Sequence, residues 1–92
     1  GLQQLDNFYA KMKTNLKLDD KETKRWDNIY NKYSPKMKAI LEDKSLSPEK
    51  IAQKTNYITK KMDDELISIL DKEKKVKYSE MVKEYGMEAA KQ

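Results

Sequence analysis

The chain of 92 residues contains no cysteine and no histidine. Without cysteine, these residues supply no disulfide, no thiolate metal ligand and no thiol nucleophile. Without histidine, they lack the commonest general base and the commonest ligand of transition metals. Glycine-rich phosphate loops, the spaced acidic pattern of calcium loops and zinc-ligand spacings are also absent from the sequence. We therefore expect no enzymatic activity, no catalytic residue, no cofactor and no metal site.

Glycine and proline occur only twice each, so little interrupts helical segments. Charged residues make up 39% of the chain and apolar residues 37%, which suits amphipathic helices with a large solvated surface. No run is long and apolar enough to span a membrane. Basic and acidic residues are interleaved, as in K-K-M-D-D-E, and this is typical of a salt-bridged surface rather than a nucleic-acid site. We read the acidic runs at 19–20 and 63–65 as solvated charge and helix caps.

Apolar residues at spacings of three and four predict one all-α domain over residues 1–92. The expected helices cover residues 2–15, 20–42, 48–70 and 72–85, followed by a tail over 87–92. Pro35 lies inside the second helix and predicts a kink rather than a break, because the apolar positions stay in phase across it. Gly86 predicts a left-handed stop for the last helix.

Start signals precede three of these helices. Asp19 is the expected N-cap of the second helix, and Glu22 completes a capping box three residues later. Ser47 followed by Pro48 marks the start of the third helix. Asp71 is the expected N-cap of the fourth.

The second and fourth helices begin with related sequences. L-D-D-K-E-T-K-R-W starts at Leu18, and L-D-K-E-K-K-V-K-Y starts at Leu70. In this alignment Trp26 falls on Tyr78, and Tyr33 falls on Tyr85. Each copy is a leucine, an aspartate, a charged turn and an amphipathic helix that opens with a large aromatic residue.

These two starts resemble the paired Leu-Thr-x-x-Gln motifs of the Spy/CpxP family of periplasmic helical proteins. The aspartates stand at the threonine positions, and both residue types cap helices. A glutamate and a lysine stand at the two glutamine positions. The motif positions in this sequence are Leu18, Asp19, Glu22, Leu70, Asp71 and Lys74.

The resemblance implies a long kinked helical hairpin within a thin, cradle-shaped antiparallel homodimer. It also implies a periplasmic location and a role in stress response, as an ATP-independent chaperone for unfolded or partly folded client proteins. An envelope-stress sensor or regulatory partner of the same fold is the alternative, and a nucleic-acid-binding or structural coiled-coil protein is a further one. The sequence begins at Gly1 without methionine, so we expect that a signal peptide has been removed.

A homodimer is also expected from the residues, because a domain of this size without disulfides buries only a modest core. The many tyrosines and methionines fit either core and dimer packing or an adaptable protein-binding surface. Residues that lie near the predicted kink but outside the apolar face are candidates for such a surface. The alternative is that they are ordinary solvated side chains. The candidates are Lys32, Lys36, Tyr57, Lys60 and Lys61, with the lysines steering clients electrostatically.

Overall fold

The structure is a computed structural model that describes the backbone of residues 2–91 and the side chains of residues 3–85. The described residues form four helices and no strand, so the predicted all-α class is confirmed. None of these helices is both long enough and apolar enough to cross a membrane. The helices are α1 (Leu2–Asn15), α2 (Asp20–Leu41), α3 (Pro48–Ser68) and α4 (Lys72–Lys91).

Local capping fixes where α2 and α3 begin. The Asp19 carboxylate accepts a hydrogen bond of 2.7 Å from the Glu22 amide, and the Glu22 carboxylate accepts one of 3.1 Å from the Asp19 amide. This reciprocal pair is the predicted capping box. At α3, the Ser47 hydroxyl accepts a hydrogen bond of 3.2 Å from the Lys50 amide, and Pro48 occupies the first turn. Both predicted starts are confirmed.

Three helices end at other residues than the sequence predicted, and the smallest difference is that α2 ends at Leu41 rather than at residue 42. α2 runs through Pro35 as one helix, which excludes a break, while the kink itself stays a prediction. α3 ends at Ser68 rather than at residue 70. The predicted stop at Gly86 is wrong, because α4 continues to Lys91 and takes up most of the expected tail. A single glycine costs a helix only about 1 kcal/mol relative to alanine, so it need not end one. Gln92 lies outside the described residues.

One left-handed residue does follow a helix, but it is Lys17, with φ 53°, just after α1. The Leu16 amide donates to the Met12 carbonyl at 2.8 Å, which closes the last turn of α1 before the chain reverses. A lysine is not a residue type that signals this conformation, because only glycine and asparagine adopt it readily.

The four helices pack around a core formed within one chain. α2 and α3 form an antiparallel hairpin, since Lys32 lies opposite Glu65 whereas Met37, later on α2, lies opposite Thr59, earlier on α3. α1 and α4 are also antiparallel, with the rings of Phe8 and Tyr85 stacked at 4.3 Å. The most deeply buried side chains come from all four helices: Met12, Trp26, Met37, Met62, Leu66 and Tyr78. Of the aromatic residues and methionines at the apolar positions, those that are buried belong to the core of this one chain: Tyr9, Met12, Trp26, Met37, Met62 and Tyr78.

Burial is uneven along the hairpin. We call residues 36–61, which comprise the end of α2, the connecting loop and the first two-thirds of α3, the distal hairpin. Met37 is its only buried residue, whereas Leu41 is 38% exposed and Tyr57 is 60% exposed. The distal hairpin thus keeps apolar side chains in contact with solvent.

Candidate protein-binding site

The two copies of the sequence repeat meet in the structure. The Lys74 ammonium group lies 2.7 Å from the Glu22 carboxylate, so the two glutamine positions of the motif form an ion pair. One turn further along each helix, the rings of Trp26 and Tyr78 pack edge to face with centroids 6.0 Å apart. The repeat therefore brings side chains from the starts of α2 and α4 into contact.

The other motif positions are structural as well. The Asp71 carboxylate accepts a hydrogen bond of 2.9 Å from the Lys74 amide, which confirms Asp71 as the N-cap of α4. Leu70 is buried in the core, and Leu18 packs against it partly buried. Capping, ion pairing and apolar packing account for all six motif positions, so we assign these residues a structural role.

A partly buried carboxylate on α3 connects three helices close to Tyr78. Asp63 on α3 accepts hydrogen bonds from the hydroxyl groups of Tyr9 on α1, at 2.8 Å, and of Tyr78 on α4, at 2.5 Å. Burial raises the pKa of Asp63 above its ordinary value, although the two hydrogen bonds oppose this effect. Burial also raises the pKa of both phenols well above the ordinary range, so they remain protonated donors. The expectation that residues 63–65 carry only solvated charge is therefore wrong for Asp63.

Four of the five candidate surface residues lie on one side of the hairpin. The ammonium groups of Lys32 and Lys36 lie 4.9 and 5.6 Å from the centre of the Tyr33 ring. The ammonium group of Lys61 lies 4.7 Å from the centre of the Tyr57 ring and interacts electrostatically with Tyr33. These contacts fall in the range of cation–π interactions. The lysines therefore cluster around two tyrosine rings.

An ion pair connects this cluster across the hairpin. The Lys32 ammonium group lies 2.6 Å from the Glu65 carboxylate. The hydrogen bond from Lys32 lowers the pKa of Glu65 and raises that of Lys32 itself, so both groups remain charged near neutral pH. Lys60 is exposed, and none of the cluster contacts among residues 3–85 includes it. The structure thus groups Lys32, Lys36, Tyr57 and Lys61 and leaves Lys60 aside.

An apolar groove lies beside Tyr57. It has a volume of about 360 Å³. Its lining residues are Ile40 from α2 and Gln53, Lys54, Tyr57 and Ile58 from α3. Because the α3 residues form two pairs one turn apart, the groove follows α3 for about one turn. A concave apolar surface with a few polar groups at its edge is the usual form of a binding site in proteins.

Sequence reasoning identified Tyr57 but not the two isoleucines of the groove. Ile40 and Ile58 occupy the apolar positions of their helices, and this pattern assigns them to the core. The structure leaves both only partly buried, at the groove between α2 and α3. Their exposure at the groove depends on how the helices pack in three dimensions and cannot be predicted from the spacing of apolar residues.

No protein-family model, no curated protein and no solved structure matches the chain. The described residues contain no group of three or more acidic side chains placed to hold a metal ion. We take the groove beside Tyr57 and the lysines around it as the candidate site, because an apolar surface and exposed cationic groups lie together there.

Proposed function

We propose that the protein is a Spy/CpxP-like, ATP-independent chaperone or protein-binding module that captures unfolded or partly folded proteins in the periplasm. The observation that carries the proposal is the Tyr57 side chain, which is 60% exposed at the edge of an apolar groove of about 360 Å³. The order of one short helix, two long helices and a last helix supports the family resemblance.

Binding would be weak and adaptable at this site. Tyr57 offers apolar area with a polar tip, while Ile40 and Ile58 provide an apolar floor that needs no fixed partner geometry. Lys54 and Lys61 at the edge keep the surface soluble when no client is bound. Such a site favours exposed apolar segments of a client over its folded, polar surface.

The test is suppression of aggregation of a chemically denatured client protein diluted into buffer without ATP, followed by light scattering. The wild-type protein should lower the scattering. Tyr57→Ser should raise the protein concentration needed for half suppression by about tenfold, because it removes the aromatic anchor. Val76→Ser is the matched control, since Val76 is 55% exposed on α4, away from the groove.

Two outcomes would contradict the proposal. The first is an absence of suppression by the wild-type protein at any ratio to client. The second is equal loss of suppression in Tyr57→Ser and Val76→Ser, which would show that apolar exposure in general, and not the groove, accounts for the effect. Circular dichroism of each variant verifies that helix content is unchanged.

A further inference from the structure

The net positive charge of the protein is concentrated in the distal hairpin. Residues 36–61 contain seven lysines and three acidic residues, a net charge of +4, which equals the net charge of the whole chain. The remaining residues contain thirteen basic and thirteen acidic side chains and are neutral in sum. All seven lysines are exposed: Lys36, Lys38, Lys44, Lys50, Lys54, Lys60 and Lys61.

The same segment carries the apolar groove. Lys54 lies in its wall, and the Lys61 ammonium group lies 4.7 Å from the ring of Tyr57 at its edge. The Lys61 ammonium group forms no salt bridge among residues 3–85 and lies against a tyrosine ring, so it can pair with a ligand in the groove even though Glu65 interacts with it electrostatically. The apolar floor and the cationic edge thus occur together in the part of the hairpin that carries its excess of positive charge, whereas residues 62–68 at the end of α3 are acidic.

We infer that the groove binds an acidic amphipathic segment of a partner protein, with a row of aliphatic or aromatic side chains flanked by aspartate or glutamate. This inference rests on the proposed function and specifies the class of segment that the site selects. Charge complementarity at the edge favours carboxylates over neutral or basic flanking residues. Because the groove follows α3 for about one turn, it suits side chains of a partner helix that are three or four residues apart.

The shape of the site favours a protein segment over a lipid surface or a nucleic acid. Tyr57 and Leu41 are exposed, but the apolar floor formed by Ile40 and Ile58 is concave and partly buried, so it suits the projecting side chains of a peptide better than the broad surface of a bilayer. Nucleic-acid backbones are bound by basic side chains and do not need an apolar floor. A peptide with an apolar row and acidic flanks uses both features of the site.

Fluorescence anisotropy with labelled synthetic peptides tests the inference. The probe is a helical peptide with leucine at every third and fourth position and glutamate on both flanks. A second peptide carries glutamine in place of every glutamate, and a third has the first peptide's composition in scrambled order. The glutamate peptide should bind more tightly than both others. Raising the salt from about 0.05 M to about 0.5 M should remove most of its advantage over the glutamine peptide, since screening shortens the electrostatic range.

Two double variants locate the effect. Lys54→Gln with Lys61→Gln should weaken binding of the glutamate peptide by about fivefold and leave the glutamine peptide almost unaffected. Lys24→Gln with Lys75→Gln removes the same charge from exposed positions on α2 and α4 outside the distal hairpin, and it should change neither affinity by more than about twofold.

The outcomes separate this inference from the proposed function. Equal affinity for the glutamate and glutamine peptides, or equal effects of the two double variants, would overturn acidic recognition at the groove. If acidic recognition failed in this way but suppression of aggregation still depended on Tyr57, the proposed function would stand and only the preference for acidic segments would be rejected. Binding of anionic phosphatidylglycerol vesicles or duplex DNA in preference to the glutamate peptide, measured in the same salt series, would also overturn the inference.

Discussion

Asp63 shows how one residue departs from its neighbours in sequence. Asp64 beside it is exposed, whereas Asp63 accepts hydrogen bonds from Tyr9 and Tyr78 in a partly buried setting. Successive residues of a helix point about 100° apart, so one member of an acidic run can face inward while the next faces solvent. The sequence pattern identifies the run but not the member that α1 and α4 enclose, because that depends on where those helices pack.

The raised pKa of Asp63 makes stability depend on pH. Burial is the largest cause, and the Asp64 charge adds to it. Because the folded-state pKa lies above the unfolded value of about 4, folding favours the protonated carboxyl group. The favourable contribution is complete below that value and is lost as the pH rises through the folded-state pKa.

We therefore expect Asp63→Asn to gain stability relative to the wild-type protein as the pH rises from about 4 to 7. The amide keeps an acceptor for the tyrosine hydroxyls but does not ionise. Urea unfolding across this range measures the difference in midpoint. Asp63→Ala, which leaves two buried hydroxyls without their acceptor, should instead lose about 1–3 kcal/mol. Glu80→Gln, an exposed carboxylate on α4, is the control. A pH-independent difference between Asp63→Asn and the wild-type protein would contradict the expectation.

At the scale of the helices, starts were more predictable than stops. The caps Asp19, Ser47 and Asp71 act on amides three residues away, so the sequence alone contains the information. The predicted stop at Gly86 is wrong, and the sequence does not predict the left-handed conformation of Lys17. Where a helix ends depends on the tertiary contacts of the segment that follows it, and these are not visible in the local sequence.

The Asp71 cap should matter for the joint between α3 and α4. Asp71→Ala removes the acceptor for the Lys74 amide and should cost about 0.5–2 kcal/mol of stability. Asp71→Ser should recover most of the loss, because serine is also a good N-cap. Glu80→Ala removes an equal charge from the middle of α4 and serves as the control. Thermal unfolding by circular dichroism gives the comparison, and an Asp71→Ala melting temperature equal to the wild-type value would mean that the cap contributes nothing.

At the scale of the whole molecule, the sequence predicts the helices but not which of their apolar residues are buried in the core and which stay exposed. The same apolar pattern places Met62 in the core and leaves Ile58, one turn earlier on α3, at the groove. The difference arises because Met62 belongs to the enclosed core, whereas Ile58 lies where the groove opens to solvent. The spacing of apolar residues shows which face of a helix is apolar, but it does not show how much of that face other helices pack against.

The homodimer remains a prediction at this scale, and the packing sharpens its test. Since residues such as Trp26 and Leu66 are already buried within one chain, a dimer would form from folded subunits that keep partly exposed side chains such as Leu41. We expect light scattering at tens of micromolar to give twice the chain mass of 10.9 kDa. Stability should then rise with protein concentration, because association favours the folded state. A mass of one chain, with a urea midpoint independent of concentration, would exclude the dimer and leave a monomeric four-helix domain whose groove acts alone.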